Sequence, residues 1–422
     1  MVTFLIVFIM VFGVNTTVWG LVGLGRACAQ IARRPRSELH DVRLKPGDVA
    51  VLIAAHNEEM VIANTIRSAS ALVPVGNIFI ASDASVDRTA TVARASGANV
   101  VELMPNRGKA GALVAAIEHF ELAKNFTIVM LLDADTQLSS NYMETALPYF
   151  DDPGIVAIAG RVSTIVDPES PTFIGRFLVA YRDRFYIAVQ YLLKFGQAAR
   201  GANVVSIVPG FASLYRSVVL EHIQIDAPGL AIEDFNMTFE VHAKKLGRIA
   251  FHPHAAIAYT QDPDNFADYS NQLGRWALGF WQTVGRHRMR FGTFWGSLVF
   301  FVIELVSSSI MMVLILPALL LSIAATSWTA LTPGSTGPAV WFAAYLPPSA
   351  ILAGVFLPDY LLTVVVVIVV HRPKYLLLGI AFPVMRVVDS LICLRALPRA
   401  VFGKSSGKWK SPARRVSVKS VS

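Results

Sequence analysis

Residues 127–136 read TIVMLLDADT, a short β-branched apolar run that ends in two aspartates one residue apart, Asp133 and Asp135. Such a run, closed by acidic turn residues, predicts a strand buried on both faces. Working outward, VAVLIAA (49–55) and IFIAS (78–82) repeat the pattern, and helical periodicity separates the runs at 59–69, 88–96 and 110–123. Strands alternating with helices predict a parallel sheet covered on both faces, with ligands collecting outside the carboxyl ends of the strands. Those ends hold His56, Asn57 and Glu58, then Asp83 and Asp87, then Asn106 to Lys109, and last Asp133 and Asp135.

Two carboxylates one residue apart repel each other unless a hard cation joins them, and oxygen-rich sites of this kind suit Mg2+ or Mn2+ carrying a diphosphate. The bland alternative is a pair of solvated turn aspartates. Gly108 lets the backbone approach a ligand closely, and Lys109 can then place a point charge on a phosphate. The GxxxxGK[ST] spacing of a Walker loop is absent. Asp87, two residues before Thr89, reads as a helix cap, whereas Asp83 reads as a binding residue. Further on, LAIEDF (230–235) sets Glu233 and Asp234 together in an otherwise apolar stretch. Apolar surroundings and an adjacent carboxylate both raise proton affinity, which makes Asp234 the candidate general base and Glu233 its neighbour in catalysis. A capping role for Asp234 on a helix over 235–245 is compatible with this.

With 54% hydrophobic and 16% charged residues among 422, and a mean hydropathy of +0.52, the chain predicts membrane spans. Residues 1–25 predict an uncleaved span, residues 294–325 a second and 346–370 a third. The stretch 375–401 carries Arg386, Asp389, Arg395 and Arg399, and predicts a re-entrant or interfacial helix in preference to a fourth crossing. Asp359, beside Pro358 in the third span, is a functional candidate for which Arg386 is a conceivable partner. The net charge of +8 falls mainly beside the apolar runs, at Arg26, Arg33, Arg34, Arg36, Arg43 and Lys45, and from Lys404 to Lys419. This is a positive-inside pattern with attraction to anionic membrane lipids, and it predicts a plasma-membrane protein whose region 45–267 faces the cytosol. No nucleic-acid motif competes. Cys28 and Cys393 are the only cysteines, so a disulfide framework and a cysteine metal site are excluded. His252 and His254 lack a third ligand at metal-site spacing and read as structural.

Between the α/β region and the second span lies QLGRW (272–276), within an interface helix expected over 268–292. A cation and an aromatic ring at a membrane boundary are often plain anchors. In sequence with the acidic pairs upstream they read as part of a site for an anionic donor and a membrane-bound acceptor.

The ordered series AAHNEE, SDASVDRT, NRGKAGAL, LLDADT, VPGFASLYR, AIEDF and QLGRW resembles the membrane-integrated family 2 glycosyltransferases, the group containing cellulose, chitin, hyaluronan and poly-N-acetylglucosamine synthases. The resemblance covers about residues 48–290 and implies an α/β GT-A (Rossmann-like) catalytic domain plus an α-helical transmembrane region. It implies a hexosyl- or N-acetylhexosaminyl-transferase that uses a nucleotide sugar, most often a UDP-sugar, with Mn2+ or Mg2+. On that resemblance His56, Glu58, Asp83, Lys109, Asp133 and Arg275 bind the nucleotide sugar, and Asp133 and Asp135 hold the metal. Asp234 takes the acceptor proton, while Gln272, Trp276, Gly210 and Phe211 line the acceptor path. Direct displacement by an acceptor hydroxyl implies inversion at the anomeric carbon.

Three departures loosen the fit: Ser82-Asp83-Ala84-Ser85 lacks one carboxylate, Ile232 replaces a threonine, and Val114 stands in place of an asparagine. The few spans make a polymer pore thin unless a homo-oligomer supplies more. Single-sugar transfer to a glycolipid or polyprenyl-phosphate acceptor is therefore the rival to polymer synthesis, and a non-catalytic membrane scaffold is a remote alternative.

Overall fold

The computed structural model describes residues 13–32 and 44–403. The first twelve residues of the expected initial span, Arg33, Arg34, Arg36, Arg43 and the basic tail from Lys404 lie outside the described residues.

A seven-residue strand, β1 (Val49–Ala55), is buried along its whole length. Its alternate residues serve two layers, because successive side chains of a strand point to opposite faces. Val51, Ile53 and Ala55 pack with Ile62 and Ile66 of helix α2 (Ile62–Ser70), whereas Leu52 and Ala54 pack with Ala112, Leu113 and Ala116 of helix α4 (Gly108–His119). Ile62, Ile66 and Ala69 recur at i, i+4 and i+7 on α2, and Ala112, Leu113 and Ala116 at i, i+1 and i+4 on α4, so each set lies on one helix face. Between them run β2 (Ile78–Asp83), α3 (Thr89–Ala95) and β3 (Asn99–Leu103), followed by β4 (Ile128–Asp133).

Strands β1 to β4 are parallel, with Ala54 opposite Asp133, Ala55 opposite Ser82 and Asp83 opposite Leu103. This register lines up the four carboxyl ends along one edge. The sheet then departs from the all-parallel expectation. Its order is β3-β2-β1-β4-β8-β6-β9, and β8 (Ala212–Arg216) runs antiparallel to both β4 and β6 (Ile155–Ile158). Strand β9 (Arg248–Ala250) closes the far side, and β5 (Gln137–Leu138), β7 (Arg161–Thr164) and β10 (Ile257–Thr260) form a small second sheet. The long excursion between β4 and β8 permits the reversal, since no tight crossover fixes the direction of β8.

Helix α5 (Phe173–Ala188) starts at Thr172, whose hydroxyl accepts Gly175 N–H at 2.9 Å. It runs into a π-helical turn at Val189–Lys194 and ends at Gln197. Helix α6 (Asp234–Ala243) begins on an acidic residue, favourable at the positive end of its dipole. Helix α7 (Phe266–Arg286) carries QLGRW and is capped by Asn265, whose side-chain oxygen accepts Asp268 N–H at 2.9 Å.

Three helical stretches among the described residues are long and apolar enough to cross a membrane: Thr293–Leu331, Pro338–Val370 and Lys374–Phe402. The first is one 39-residue helix, α8, extending beyond the predicted end at 325. The second contains α9 (Pro348–Val370), and the third contains α10 (Phe382–Phe402). Of the charges on the third stretch, Asp389 turns inward and accepts hydroxyl hydrogens from Tyr181 at 2.7 Å and Tyr269 at 2.5 Å, whereas Arg395 and Arg399 are exposed. Asp359 takes Arg184 of α5 as its nearer partner at 2.7 Å, with Arg386 at 3.7 Å. The N-terminal helix α1 (Val14–Ala32) begins on Glu304 of α8, whose carboxylate accepts N–H groups of Asn15 and Thr16 at 2.6 and 3.2 Å.

Candidate active site

The aligned strand ends open on a cavity of about 2060 Å³ that reaches from His56, Glu58 and Asp135 to Ser308, Met312 and Cys393 of the apolar helices. Lys109 stands at its centre. The left-handed φ of +72° at Gly108 turns the chain into α4 there, a conformation glycine adopts without steric cost. Lys109 Nζ pairs with Asp133 Oδ1 at 2.8 Å and Glu233 Oε1 at 2.9 Å. Burial alone would lower this ammonium, but Asp133, Glu233 and Asp234 hold it well above the usual lysine range.

The adjacent carboxylates Glu233 and Asp234 are driven apart in proton affinity. Burial disfavours the Glu233 charge, yet Lys109 offsets this and holds the group below its ordinary value. Burial and then the Glu233 charge push the Asp234 carboxyl up to about 7. One acid therefore stays ionised while its neighbour exchanges a proton near neutrality, which is how a pair of titratable groups divides acid–base work. Burial also raises Asp133, opposed by Lys109 and reinforced by Asp135.

Gly210 makes room for this cluster. A methyl group there would overlap the Asp234 carboxylate and approach Lys109 Nζ to 3.1 Å. The next residue, Phe211, accepts Asp133 N–H at 2.9 Å on its carbonyl and puts its ring in the cavity wall. Behind the wall, Asp83 is 1% exposed. Its Oδ1 accepts Arg107 N–H at 2.7 Å, and its carbonyl accepts His56 Nδ1–H at 2.6 Å. His56 and Glu58 thus line the cavity, Glu58 itself only 3% exposed, and Asp83 lies behind His56. Asp87 accepts N–H groups of Thr89 at 2.9 Å and Glu59 at 3.1 Å, the local role its spacing predicted.

On α7, Gln272, Arg275 and Trp276 share the face that lines the cavity. Arg275 Nε is buried with no hydrogen-bond partner among the described residues. Gln272 and Trp276 are fixed by a residue that sequence reasoning missed, Arg182 of α5, which is 2% exposed. Its guanidinium donates to Gln272 Oε1 at 2.8 Å and lies 4.4 Å from the centre of the Trp276 ring, while Asp262 sits 3.5 Å from its Nε. The signal was Arg182-Asp183-Arg184, three charges inside an aromatic, apolar helix pattern. The base loop is tied to the same helix: Gln282 Oε1 accepts Ala231 N–H at 2.8 Å, and Ile232 fills the space left by Gly279. Lys194 was also missed; it lines the cavity from the π-helical turn. His252 and His254 pack edge-on against Phe195 and Tyr191.

A hard divalent cation takes six or more oxygens. Asp133 and Asp135 supply one carboxylate each at the end of β4, and Asp133 Oδ1 already faces Lys109. Among the described residues no three His, Cys, Asp or Glu side chains converge to hold a metal unaided. The donor set therefore fits a cation that brings further oxygens with it, as a diphosphate does.

The family described as glycosyltransferase like family 2 matches residues 46–279. A probable glycosyltransferase YdaM of Bacillus subtilis (strain 168) is 27% identical over 245 residues, 55% of this chain and 54% of that protein. An uncharacterized protein of Methanocaldococcus jannaschii is 31% identical over 110 residues, 26% of this chain and 43% of that protein. The chain thus spans about half the length of the curated relatives it matches. Among solved structures, a mannosyltransferase from Pyrobaculum calidifontis in complex with GDP-Man and Mn2+ shares the fold, with a TM-score of 0.59 and 17% identity over 96% of this chain and 100% of that one.

Proposed function

The chain belongs to the glycosyltransferase like family 2, and from that premise we propose that it is an inverting, metal-dependent membrane glycosyltransferase. It moves a sugar from a nucleotide-diphosphate sugar, with UDP favoured, to a hydroxyl of a glycan or lipid-linked acceptor. The observation that carries this reading is the split pair Glu233 and Asp234 beside Lys109, in one cavity that runs on to the apolar helices.

Asp234 receives the acceptor proton as the hydroxyl oxygen bonds to the anomeric carbon, and the bond from that carbon to the diphosphate breaks on the opposite face. Lys109 and Arg275 hold the departing diphosphate, a fixed cation set aimed where charge develops. A divalent cation held by Asp133 and Asp135 would neutralise further phosphate charge. His56 and Glu58 face the nucleoside, with Asp83 supporting them from behind. Arg182 orients Gln272 and Trp276 toward the acceptor sugar. The acceptor comes from the membrane side, with the catalytic domain in the cytosol.

Polymer synthesis is the first reading of the product. Transfer of a single sugar to a lipid is a second, favoured by the apolar helices that line the far end of the cavity. Donor binding tests the assignment: with Mn2+, UDP or GDP should bind the full-length protein in nanodiscs, and Asp135→Ala should weaken that binding about tenfold or more. Equal binding by both proteins would remove Asp135 from the site.

A further inference from the structure

Lys194 is a buried cation without an answering anion. It ends the π-helical turn Val189–Lys194, and it is 7% exposed. Its ammonium lies 5.0 Å from the centre of the Phe251 ring, and no carboxylate among the described residues pairs with it. A buried ammonium in that condition is costly, because an aromatic face replaces only part of its hydration. Lys194 nevertheless lines the cavity that contains Asp234.

Its position is held from outside the catalytic sheet. Added methyl groups on Gly23 or Gly196 would overlap the backbone of Leu192 or Trp19, so α1 and the turn carrying Lys194 touch main chain to main chain. Arg26 of α1 lies 4.1 Å from the centre of the Phe195 ring, the residue after Lys194. A π-helical turn within an α-helix often marks a functional position, and here it directs a long side chain into the cavity.

The two lysines of the cavity answer to different neighbours. Lys109 is engaged by Asp133 and Glu233. Burial lowers the Lys194 ammonium to about 7, and the charge of Asp234 opposes this only in part. Resting on the glycosyltransferase reading above, we propose that Lys194 is the cation of a second anion subsite, which takes a phosphate group carried by the acceptor. Lys109 and Arg275 serve the donor diphosphate, and Lys194 serves the phosphate of the acceptor. In a prenyl-phosphate lipid the attacking oxygen is the phosphate's own, and any proton it carries passes to Asp234; in a water-soluble acceptor a separate hydroxyl attacks and the phosphate only anchors it. In both, the bond from the anomeric carbon to the donor diphosphate breaks.

The test uses the full-length protein in phosphatidylcholine nanodiscs and follows tryptophan fluorescence during titration with geranylgeranyl phosphate, geranylgeraniol, inorganic phosphate, and UDP or GDP with Mn2+. Lys194→Met is expected to weaken geranylgeranyl phosphate about tenfold or more, down to the level of the neutral alcohol, as loss of a buried charged hydrogen bond implies. Nucleotide binding should stay within about twofold, and Lys194→Arg should retain most phosphate binding. If inorganic phosphate alone loses affinity, the acceptor is water-soluble and the subsite stands. The unliganded Lys194→Met protein should keep or raise its thermal transition, since an unpaired buried charge is gone, so weaker binding will not reflect unfolding. Unchanged binding of both phosphates, or loss of nucleotide affinity in their place, would overturn the proposal. The donor-site reading is judged separately in the same titrations, by the response of nucleotide binding to Asp135→Ala.

Discussion

The charges around Lys109 are half-buried and those around Asp359 are buried, and they are assembled in opposite ways. At the end of β4, a single ammonium faces Asp133, Glu233 and Asp234, while Arg275 Nε and Asp234 Oδ1 lack hydrogen-bond partners among the described residues. Between α5 and α9, Arg184 holds Asp359 at 2.7 and 3.2 Å and also donates to Thr363 Oγ1 at 3.0 Å. The second group sets both oxygens of Asp359 against Arg184, leaving Arg184 Nε without a hydrogen-bond partner among the described residues, and joins the catalytic domain to the apolar helices. The first is left out of balance, a state that burial makes expensive and that a charged ligand relieves. The same residue types thus hold the structure together where they are matched and provide chemistry where they are not.

Removing the base should break this comparison most sharply. Asp234→Asn is expected to lower transfer about 10²–10⁴-fold, the usual worth of general acid–base catalysis. Its thermal transition should hold or rise, since burial disfavours the charge that is removed; parallel loss of stability and activity would assign Asp234 to the scaffold. Asp359→Asn should behave inversely. Breaking a buried pair costs about 3–5 kcal/mol, read as a lower thermal transition in detergent, with transfer per folded molecule near that of the unaltered protein.

Gly210→Ala tests the space around the base. It should reduce the rate by up to about 10²-fold through displacement of the Asp234 carboxylate, with little change in thermal transition. The pH profile sharpens the assignment further. A base works deprotonated, so the rate at saturating substrates should fall about tenfold per unit as pH drops below about 7 and level off above it. A limb near the ordinary aspartate value would assign the base elsewhere. The smallest effect is expected at the exposed Arg94–Glu102 pair, where Arg94→Ala should change stability by less than about 1 kcal/mol.

The parallel half of the sheet was legible because its strands are continuous apolar runs that end in polar residues. The ends of β1, β2 and β4 mark where His56, Asp83 and Asp133 stand. The reversal at β8 was hidden, since ASLYR (212–216) has the composition of a strand and nothing in it encodes direction. Of the site, the local groups were readable: the aspartate pair, the Glu233–Asp234 pair, and QLGRW. Arg182 and Lys194 escaped because their meaning depends on elements distant in the chain, on α7 for one and on α1 for the other. Ile232 likewise departed from the family pattern in sequence, and its place beside Gly279 became visible only when α7 was set against the base loop.

The cluster around Lys109 implies sugar transfer at this cavity with Asp234 as base. The most direct test incubates the full-length protein in nanodiscs with a panel of UDP- and GDP-sugars, Mn2+ and membrane lipid extract, followed by mass analysis of the products. One or more hexose or N-acetylhexosamine additions to an acceptor are expected, lost in Asp234→Asn although nucleotide binding persists. Equal product from both proteins, or none from either with any donor while nucleotide binds, would contradict it.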